Sequence, residues 1–518
     1  MTEREVKIIL KKLDIKKAVG YDQIPPKILR DAAEILTKPL TALINKCISE
    51  NTFPSSAKIA YILPFFKKLN RSDKKNYRPI SVLSSLSKVF EIVLKNQLKE
   101  FSSTFLSPNV SAYREGYSTQ HVLIRLIEEC RNALDQNLIA GGILMDLSKA
   151  FDSIPHDLII AKLNAYGFKR DSLKMVYSYL KGRRQCVRVN SSDSKFQTIL
   201  AGVPRGSILG PIIFNIFIND LNYFLERASL HGFADDHTIT SFNKNLERLL
   251  KQNLNSEANI AVDWLSINNM VANPAKFQAI VFTNKKEPIR TTFCIKDIHI
   301  NNEELVELLG IKIDEKLNFE KHISEISRKA GGQLNTLMRL NKYLSTDSKR
   351  LAVNSFTLSN FNYCPLVWNF ASSKLINRVE KIQERALRII NNDNISSYST
   401  LLENHKKTTI KVKNLQILAT EIFKTLQNIN PSYIKDIFQI SNNRTSSRLK
   451  YNIKSQSFKK VKFGKKSLRI LGPILWNSLP NNLKSISSIN SFKSEIKKWG
   501  QYGCPHYHKF NNYMTSIK

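Results

Sequence analysis

Two carboxylate-bearing segments constrain this chain more than anything else in its 518 residues. The first is an apolar run, Ile139 to Leu144, that reads as a strand and leads straight into Asp146. The second is Phe233-Ala234-Asp235-Asp236. An Asp-Asp pair behind a short apolar segment suits a tight hairpin turn, where both carboxylates can project the same way despite the two-residue strand period. If the strand ending at Asp146 lies beside that hairpin, three carboxylates converge. Like charges at close range cannot all stay ionised without compensation. Divalent cations supply it: hard Mg²⁺ prefers carboxylate oxygen and keeps positions open for phosphate, and paired ions stabilise the attacking and leaving oxygens of a phosphoryl transfer. On spacing alone an Asp-Asp pair is usually a solvated turn, so the surroundings have to decide.

Between the two segments lies Gly202-Val203-Pro204-Arg205-Gly206-Ser207-Ile208-Leu209-Gly210-Pro211, a Gly/Pro-punctuated loop running into an apolar helix. Such a loop lets backbone approach a nucleotide or base pair closely, or is a plain turn before a buried helix. Its place between the two acidic segments favours the first reading. The chain carries 79 Lys+Arg against 43 Asp+Glu, a net +36, with 42% hydrophobic residues, and a folded protein this basic usually has a polyanionic partner. The six cysteines are scattered with no Cys-x-x-Cys pair, which indicates neither a disulfide framework nor a zinc ribbon and fits a reducing, intracellular setting. No apolar run is long enough to span a membrane; the best, Ile208 to Ile218, is interrupted by Asn215. The N-terminus has no apolar signal core.

Along the chain, short helices surround a turn at Ala18 to Asp22, and apolar spacing from Ile28 to Leu36 predicts a helix. A β-rich run from Ala60 to Phe66 ends in Lys67-Lys68, and Ile80 to Leu98 reads as a helix. Helices and strands alternate to about Ile313, which makes a mixed α/β region. Beyond it, His322 to Leu344, Asp347 to Leu358 and Asn377 to Ile390 are helix-like; in the last, Val379, Ile382, Ala386, Ile389 and Ile390 share a face that excludes Lys381, Glu384 and Arg385. The final stretch, Ser441 to Lys518, holds 16 Lys+Arg and one acid, Glu495, and its fold is not readable from composition.

The order of these segments resembles the reverse transcriptases of non-LTR (LINE-type) retrotransposons, most closely the jockey group. The matching residues are Lys17 to Pro25, Asn76-Tyr77-Arg78-Pro79-Ile80-Ser81, Ser118-Thr119 after Tyr113-Arg114, Asp146 to Ile154, Gly202 to Pro211 and Phe233 to Asp236. They continue through Asn273-Pro274-Ala275-Lys276, Leu308-Leu309-Gly310-Ile311, Tyr363-Cys364-Pro365-Leu366-Val367-Trp368 and Ile382 to Arg388.

The resemblance implies an α/β (α+β) right-hand polymerase: an N-terminal extension and fingers at 1–140, a palm with interleaved fingers at 141–318, a helical thumb and extension at 319–440, and a basic C-terminal region at 441–518. It implies an RNA-directed DNA polymerase using two Mg²⁺ ions, or Mn²⁺ in their place. Asp146, Asp235 and Asp236 would bind metal, with the Leu147 carbonyl assisting. Lys67 or Lys68, Arg78, Phe151 and Arg205 would meet the deoxynucleotide, Phe151 excluding a 2′-hydroxyl. Arg114, Gly206 and Ser207 would touch template or primer, and Lys276 would protonate the departing pyrophosphate. The implied partners are an RNA template, the element's own RNA among them, a DNA primer and dNTPs, with no membrane and with action in the nucleus.

Several positions depart from the family pattern. Arg205 stands where Gln is usual, His237 where a small hydroxyl residue or an acid is commoner, Phe233 in place of a frequent Tyr, and Phe277-Gln278 follow Lys276. None removes a metal ligand. The family's N-terminal endonuclease has no counterpart in these residues, so the expectation is a polymerase that does not nick its own target. Cys504-Pro505-His506-Tyr507-His508 is not expected to form a metal site, for want of a second cysteine at zinc spacing. The competing readings are a decayed retroelement copy that binds nucleic acid without polymerising, and a scaffold whose function resides in the basic C-terminal stretch.

Overall fold

The computed structural model describes residues 1–67, 69–148, 150–190, 192–440 and 453–500. Two compact units emerge, each assembled from separate stretches of chain: Met1–Tyr113 with Asp146–Glu226 and Asn259–Asn273, and Arg114–Met145 with Arg227–Ala258 and everything from Pro274 onward. Both combine strands and helices, so the chain is a mixed α/β protein.

The first unit is built on a sheet ordered Tyr77–Leu83, Ile59–Phe66, Arg184–Val189, Ser192–Asp193, with Gln197–Thr198 also paired to Arg184–Val189. Ile59–Phe66 runs antiparallel to Tyr77–Leu83, with Phe65 opposite Arg78, and parallel to Arg184–Val189, with Tyr61 opposite Cys186. Tyr61, Val82 and Cys186 form a small buried cluster against Phe196. The helix expected from Ile80 to Leu98 is therefore divided. Ile80 to Leu83 extend the sheet, and the helix is Ser85–Ser102. Ser84 is the reason: its backbone is extended and its hydroxyl accepts the Ser87 N–H, which caps a helix starting one residue later. Helix Gly210–Ile218 is buried along nearly its whole length, and Asn215, the polar residue inside that apolar run, donates to the Ala112 carbonyl at 2.7 Å.

In the second unit the strand order is Thr292–Ile295, Ile298–Glu303, Gln278–Phe282, Ile139–Ser148, Asp236–Asn243, Ser229–Phe233; strand Ile139–Ser148 runs out of this unit after Met145. Helix Thr119–Asp135 packs beside the Ser229–Phe233 and Asp236–Asn243 pair and buries Leu123, Ile127, Cys130 and Leu134. From Glu320 the unit is helical, and helices Glu320–Arg339, Ser373–Asn391 and Ile410–Leu426 share one apolar core. On Ser373–Asn391 the expected face holds: Val379, Ala386, Ile389 and Ile390 are buried, and Lys381 and Arg385 are exposed. The stretch Asp347 to Leu358 is not one helix; it passes from Thr346–Ala352 into a wide turn, Val353–Thr357, and a tight one, Leu358–Phe361.

The C-terminal stretch, unreadable from composition, is part of this core over residues 453–500. Helices Leu468–Ser478 and Ile489–Ile496 bury Leu471, Leu475, Trp476 and Phe492, and Phe492 stacks on Phe423 with centroids 4.3 Å apart. Its basic residues are partly internal: Arg469 donates to the buried Asp135 carboxylate at 2.6 Å. The segment Cys504 to His508 lies outside the described residues. Among the described residues no helix is long and apolar enough to cross a membrane.

Candidate active site

In the second unit, strands Ser229–Phe233 and Asp236–Asn243 pair antiparallel with Phe233 opposite Asp236, so Ala234 and Asp235 form a two-residue turn. Ala234 takes the left-handed backbone (φ 56) that such a turn demands of one residue. Asp235 and Asp236 are both exposed at the tip. His237 is buried directly behind them; burial pushes its imidazole down to about 4, against the opposing pull of Asp235, so it is neutral at pH 7. Tyr363, which the residue pattern placed in a motif without giving it a role, donates from its hydroxyl to the Leu309 carbonyl at 2.7 Å. Burial raises its phenol above the ordinary value and the Asp236 carboxylate adds to that, which puts Tyr363 within the field of the Asp-Asp turn.

Strand Ile139–Ser148 is the sheet neighbour of Asp236–Asn243. A Cβ built on Gly142 would lie 3.7 Å from both the Ile239 carbonyl oxygen and Thr240 Cγ2, so the two strands approach without an intervening side chain there. Asp146, further along the same strand, is exposed, and Leu147 is buried opposite Ala272. Asp146 falls in the first unit and Asp235 and Asp236 in the second. Among the described residues no group of three or more His, Cys, Asp or Glu is disposed to hold a metal. The donors that the Asp235-Asp236 turn offers are exposed carboxylate oxygens, which suit a hard divalent cation and not a soft one.

The glycine-rich loop belongs to the first unit and is strapped down on two sides. The Gly202 and Val203 N–H groups donate to the Ile154 and Phe151 carbonyls at 2.7 and 2.8 Å, and a Cβ at Gly202 (φ 81) would meet the Phe151 carbonyl at 2.6 Å. At Gly206 (φ 122) a Cβ would collide with the Ser81 carbonyl, while the Ser81 N–H donates to the Arg205 carbonyl at 2.7 Å. Only glycine fits these two positions. Arg205 grips Asp152 with two donors, Nε to Oδ1 at 3.0 Å and Nη2 to Oδ2 at 2.8 Å, so its charge is matched within the unit. Ser207 is buried and its hydroxyl accepts the Gly210 N–H at 2.9 Å, starting the following helix. Phe151 stacks on Phe214 (4.4 Å between centroids) and meets Tyr113 edge-on, which holds its ring in one orientation.

Of the remaining expected residues, Lys67 and Arg78 are exposed at the loop end of the Ile59–Phe66 and Tyr77–Leu83 hairpin. Lys68 lies outside the described residues. Arg114 packs over the Tyr117 ring at 4.3 Å, and Lys276 is exposed in a short turn, Pro274–Lys276, before strand Gln278–Phe282.

Residues 66–313 match the family described as reverse transcriptase (RNA-dependent DNA polymerase). The chain carries a reverse transcriptase domain over these residues. It is 28% identical over 400 residues to the "Probable RNA-directed DNA polymerase from transposon BS" of Drosophila melanogaster, a match that covers 74% of this chain and 44% of that protein. It is 26% identical over 412 residues to the "RNA-directed DNA polymerase from mobile element jockey" of the same organism, covering 75% and 44% respectively. The chain thus spans less than half the length of these relatives. Among solved structures, apo telomerase from Candida tropicalis aligns with 73% of this chain and 71% of that one, at 12% identity and a TM-score of 0.35.

Within the reverse transcriptase domain one residue that the motifs did not point to organises the loop. Glu91, fully buried on helix Ser85–Ser102, accepts the Ile208 and Leu209 N–H groups at 2.6 and 3.2 Å and the Ser87 hydroxyl at 3.1 Å. Burial pushes its carboxyl up, while the nearby Arg183 and the two backbone donors pull it down. The signal was present: Ser87 and Glu91 share a helical face with Phe90, Leu94 and Leu98, so an acid stands at a core position. Removing it leaves buried donors unmet. Glu91→Ala is expected to destabilise the first unit by about 2–3 kcal/mol, while Glu91→Gln, which keeps one acceptor, recovers most of the loss. Thermal unfolding checks this; a midpoint unchanged in the Ala variant removes Glu91 as the anchor of the loop.

Proposed function

We propose that the chain is an RNA-directed DNA polymerase that extends a primer 3′-hydroxyl with deoxynucleotides on an RNA template. The reading is carried by the reverse transcriptase match over a stretch that includes both Asp146 and the Asp235-Asp236 turn, with their strands adjacent in one sheet. In this reading residues 1–140 act as fingers, 141–318 as palm and 319–440 as thumb. The primer 3′-oxygen attacks the α-phosphorus, the bond to the β-phosphate oxygen breaks, and pyrophosphate leaves.

Reverse transcriptases use divalent metal ions. Asp146, Asp235 and Asp236 would hold two of them, with the Leu147 carbonyl assisting; when bound, Mg²⁺ supplies positive charge that offsets the negative charge developing on the transferring phosphate. Lys67 and Arg78 would take the triphosphate, the guanidinium in bidentate fashion. Lys276 would give a proton to the departing pyrophosphate, and Arg114 would hold template or primer backbone. The Asp152 pairing gives Arg205 a place in the folded loop, which weighs against reading that residue as a mark of decay. The folded state of residues 453–500 likewise weighs against a chain whose function resides in a separate basic arm.

Purified protein on poly(rA)/oligo(dT) with Mg²⁺ and dTTP is expected to extend the primer; no extension at any enzyme level overturns the reading. Phe151, fixed by Phe214 and Tyr113, would sit beneath the incoming sugar and exclude a 2′-hydroxyl. Phe151→Val is expected to raise ribonucleotide incorporation relative to dNTP by about tenfold or more, on the order of 1.4 kcal/mol of lost discrimination. An unchanged ratio in competition assays takes Phe151 out of that role.

A further inference from the structure

Within the second unit lies a cavity of about 350 Å³ lined by none of the candidate site residues. Four cations from three separate stretches of chain face it: Arg131 from helix Thr119–Asp135, Lys316 from the turn after strand Ile311–Asp314, and Lys462 and Lys466 from the C-terminal segment. Among the described residues the lining contains one acid, Glu320. Two of the cations have counter-groups: Arg131 donates to Glu128 at 3.3 Å, and Lys316 donates to the Lys285 carbonyl at 2.6 Å and lies 3.7 Å from Glu315. Lys462 is different. Its ammonium rests 4.9 Å from the Phe463 ring centroid, and burial together with the like charge of Lys316 pushes its pKa down, opposed by Asp314.

The cavity is also where two long helices begin. Glu320–Arg339 and Ser373–Asn391 start from Phe319 and Ser372, neither of which caps its helix with a side chain, and both Glu320 and Ser372 line the cavity. Each helix adds partial positive charge at that end. Gathering like charge in a partly enclosed space is unfavourable unless an anion offsets it. Glu320 in the lining, with Asp314 acting on Lys462 and Glu315 beside Lys316, opposes an anion.

We propose that this cavity is a phosphate-anion site, filled by a backbone phosphate of bound nucleic acid or by a free polyphosphate. It gives part of the C-terminal positive charge a defined place, because Lys462 and Lys466 are carried to Lys316 and Arg131 by the packing of residues 453–500 on the core. Lysine ammonium groups suit phosphate oxygens, as does the N-terminus of Ser373–Asn391; at that of Glu320–Arg339 the Asp314 carboxylate already accepts the Asn318 and Phe319 N–H groups.

The full chain carrying Lys462→Gln and Lys466→Gln tests this with two probes: inorganic tripolyphosphate by titration calorimetry, and a labelled single-stranded RNA by anisotropy over a range of salt. Lys316→Gln, in a different stretch, serves as an independent variant, and thermal unfolding confirms that each is folded. If the site exists, tripolyphosphate binds at least tenfold more weakly to both variants, or the salt slope of RNA binding falls by about 0.7 for each phosphate no longer neutralised. A changed slope assigns the site to backbone phosphate; weaker tripolyphosphate binding with an unchanged slope assigns it to a free polyphosphate. The proposal is overturned if neither quantity moves, or if Lys381→Gln, on the exposed face of helix Ser373–Asn391, reproduces the same losses. Both readouts are binding measurements, so they stand whether or not the chain polymerises.

Discussion

Asp235→Asn is expected to lower primer extension by at least ~10³-fold, equivalent to about 4 kcal/mol of barrier. The substitution keeps the shape of the side chain and removes its charge. The backbone strain of the turn is carried by Ala234, and Asp235 is exposed, so the hairpin itself should persist with a stability change within about 0.5 kcal/mol. Neither neighbouring group substitutes for the lost carboxylate. His237 is held neutral by burial, and the Tyr363 phenol is already committed to the Leu309 carbonyl. Single-nucleotide extension on poly(rA)/oligo(dT), measured beside the unfolding midpoint, separates chemistry from folding. Activity within tenfold of the unaltered chain takes Asp235 out of the site.

The turn bearing Asp235 and the strand bearing Asp146 were legible in sequence because short apolar runs ending in acids admit few other arrangements. The helical face of Ser373–Asn391 was legible for a similar reason: it is long, and its period is unambiguous. Tyr77–Leu83 was not, because Ile80 to Leu83 is a short apolar run that fits either period, and the deciding feature is one hydroxyl, that of Ser84, capping the next helix. Glu91 was hidden because its partners, the Ile208 and Leu209 N–H groups, are far away in sequence and belong to backbone, which leaves no residue pattern. The C-terminal stretch was hidden by composition. Sixteen basic residues and one acid suggest a solvated arm, and the acid that receives part of that charge, Asp135, lies on helix Thr119–Asp135, where Glu128 accepts the Arg469 backbone N–H as well.

Asp135 provides the strongest test of that last point. It is fully buried; Oδ1 accepts the Lys459 and Lys460 N–H groups at 3.0 and 2.6 Å, and Oδ2 accepts Arg469 Nη2 at 2.6 Å. Asn at this position keeps one acceptor but turns an amide toward the remaining donors and leaves the Arg469 guanidinium, only 11% exposed, without a counter-charge. Breaking a buried pair from one side in this way costs about 3–5 kcal/mol. Asp135→Asn should therefore lower the unfolding midpoint of the second unit and make the segment around Lys459 and Lys460 the first site cut in limited trypsin digestion. Lys498→Ala, which breaks only the exposed pair with Glu495, should stay within about 0.5 kcal/mol of the unaltered chain. An independent basic arm gives the opposite result, with Asp135→Asn leaving the midpoint unmoved. The same packing limits truncation: removing Ser441 to Lys518 also removes Trp476 and Phe492 from the core, so any loss of nucleic-acid binding would confound charge with unfolding, whereas single charge substitutions on the folded segment keep the two apart.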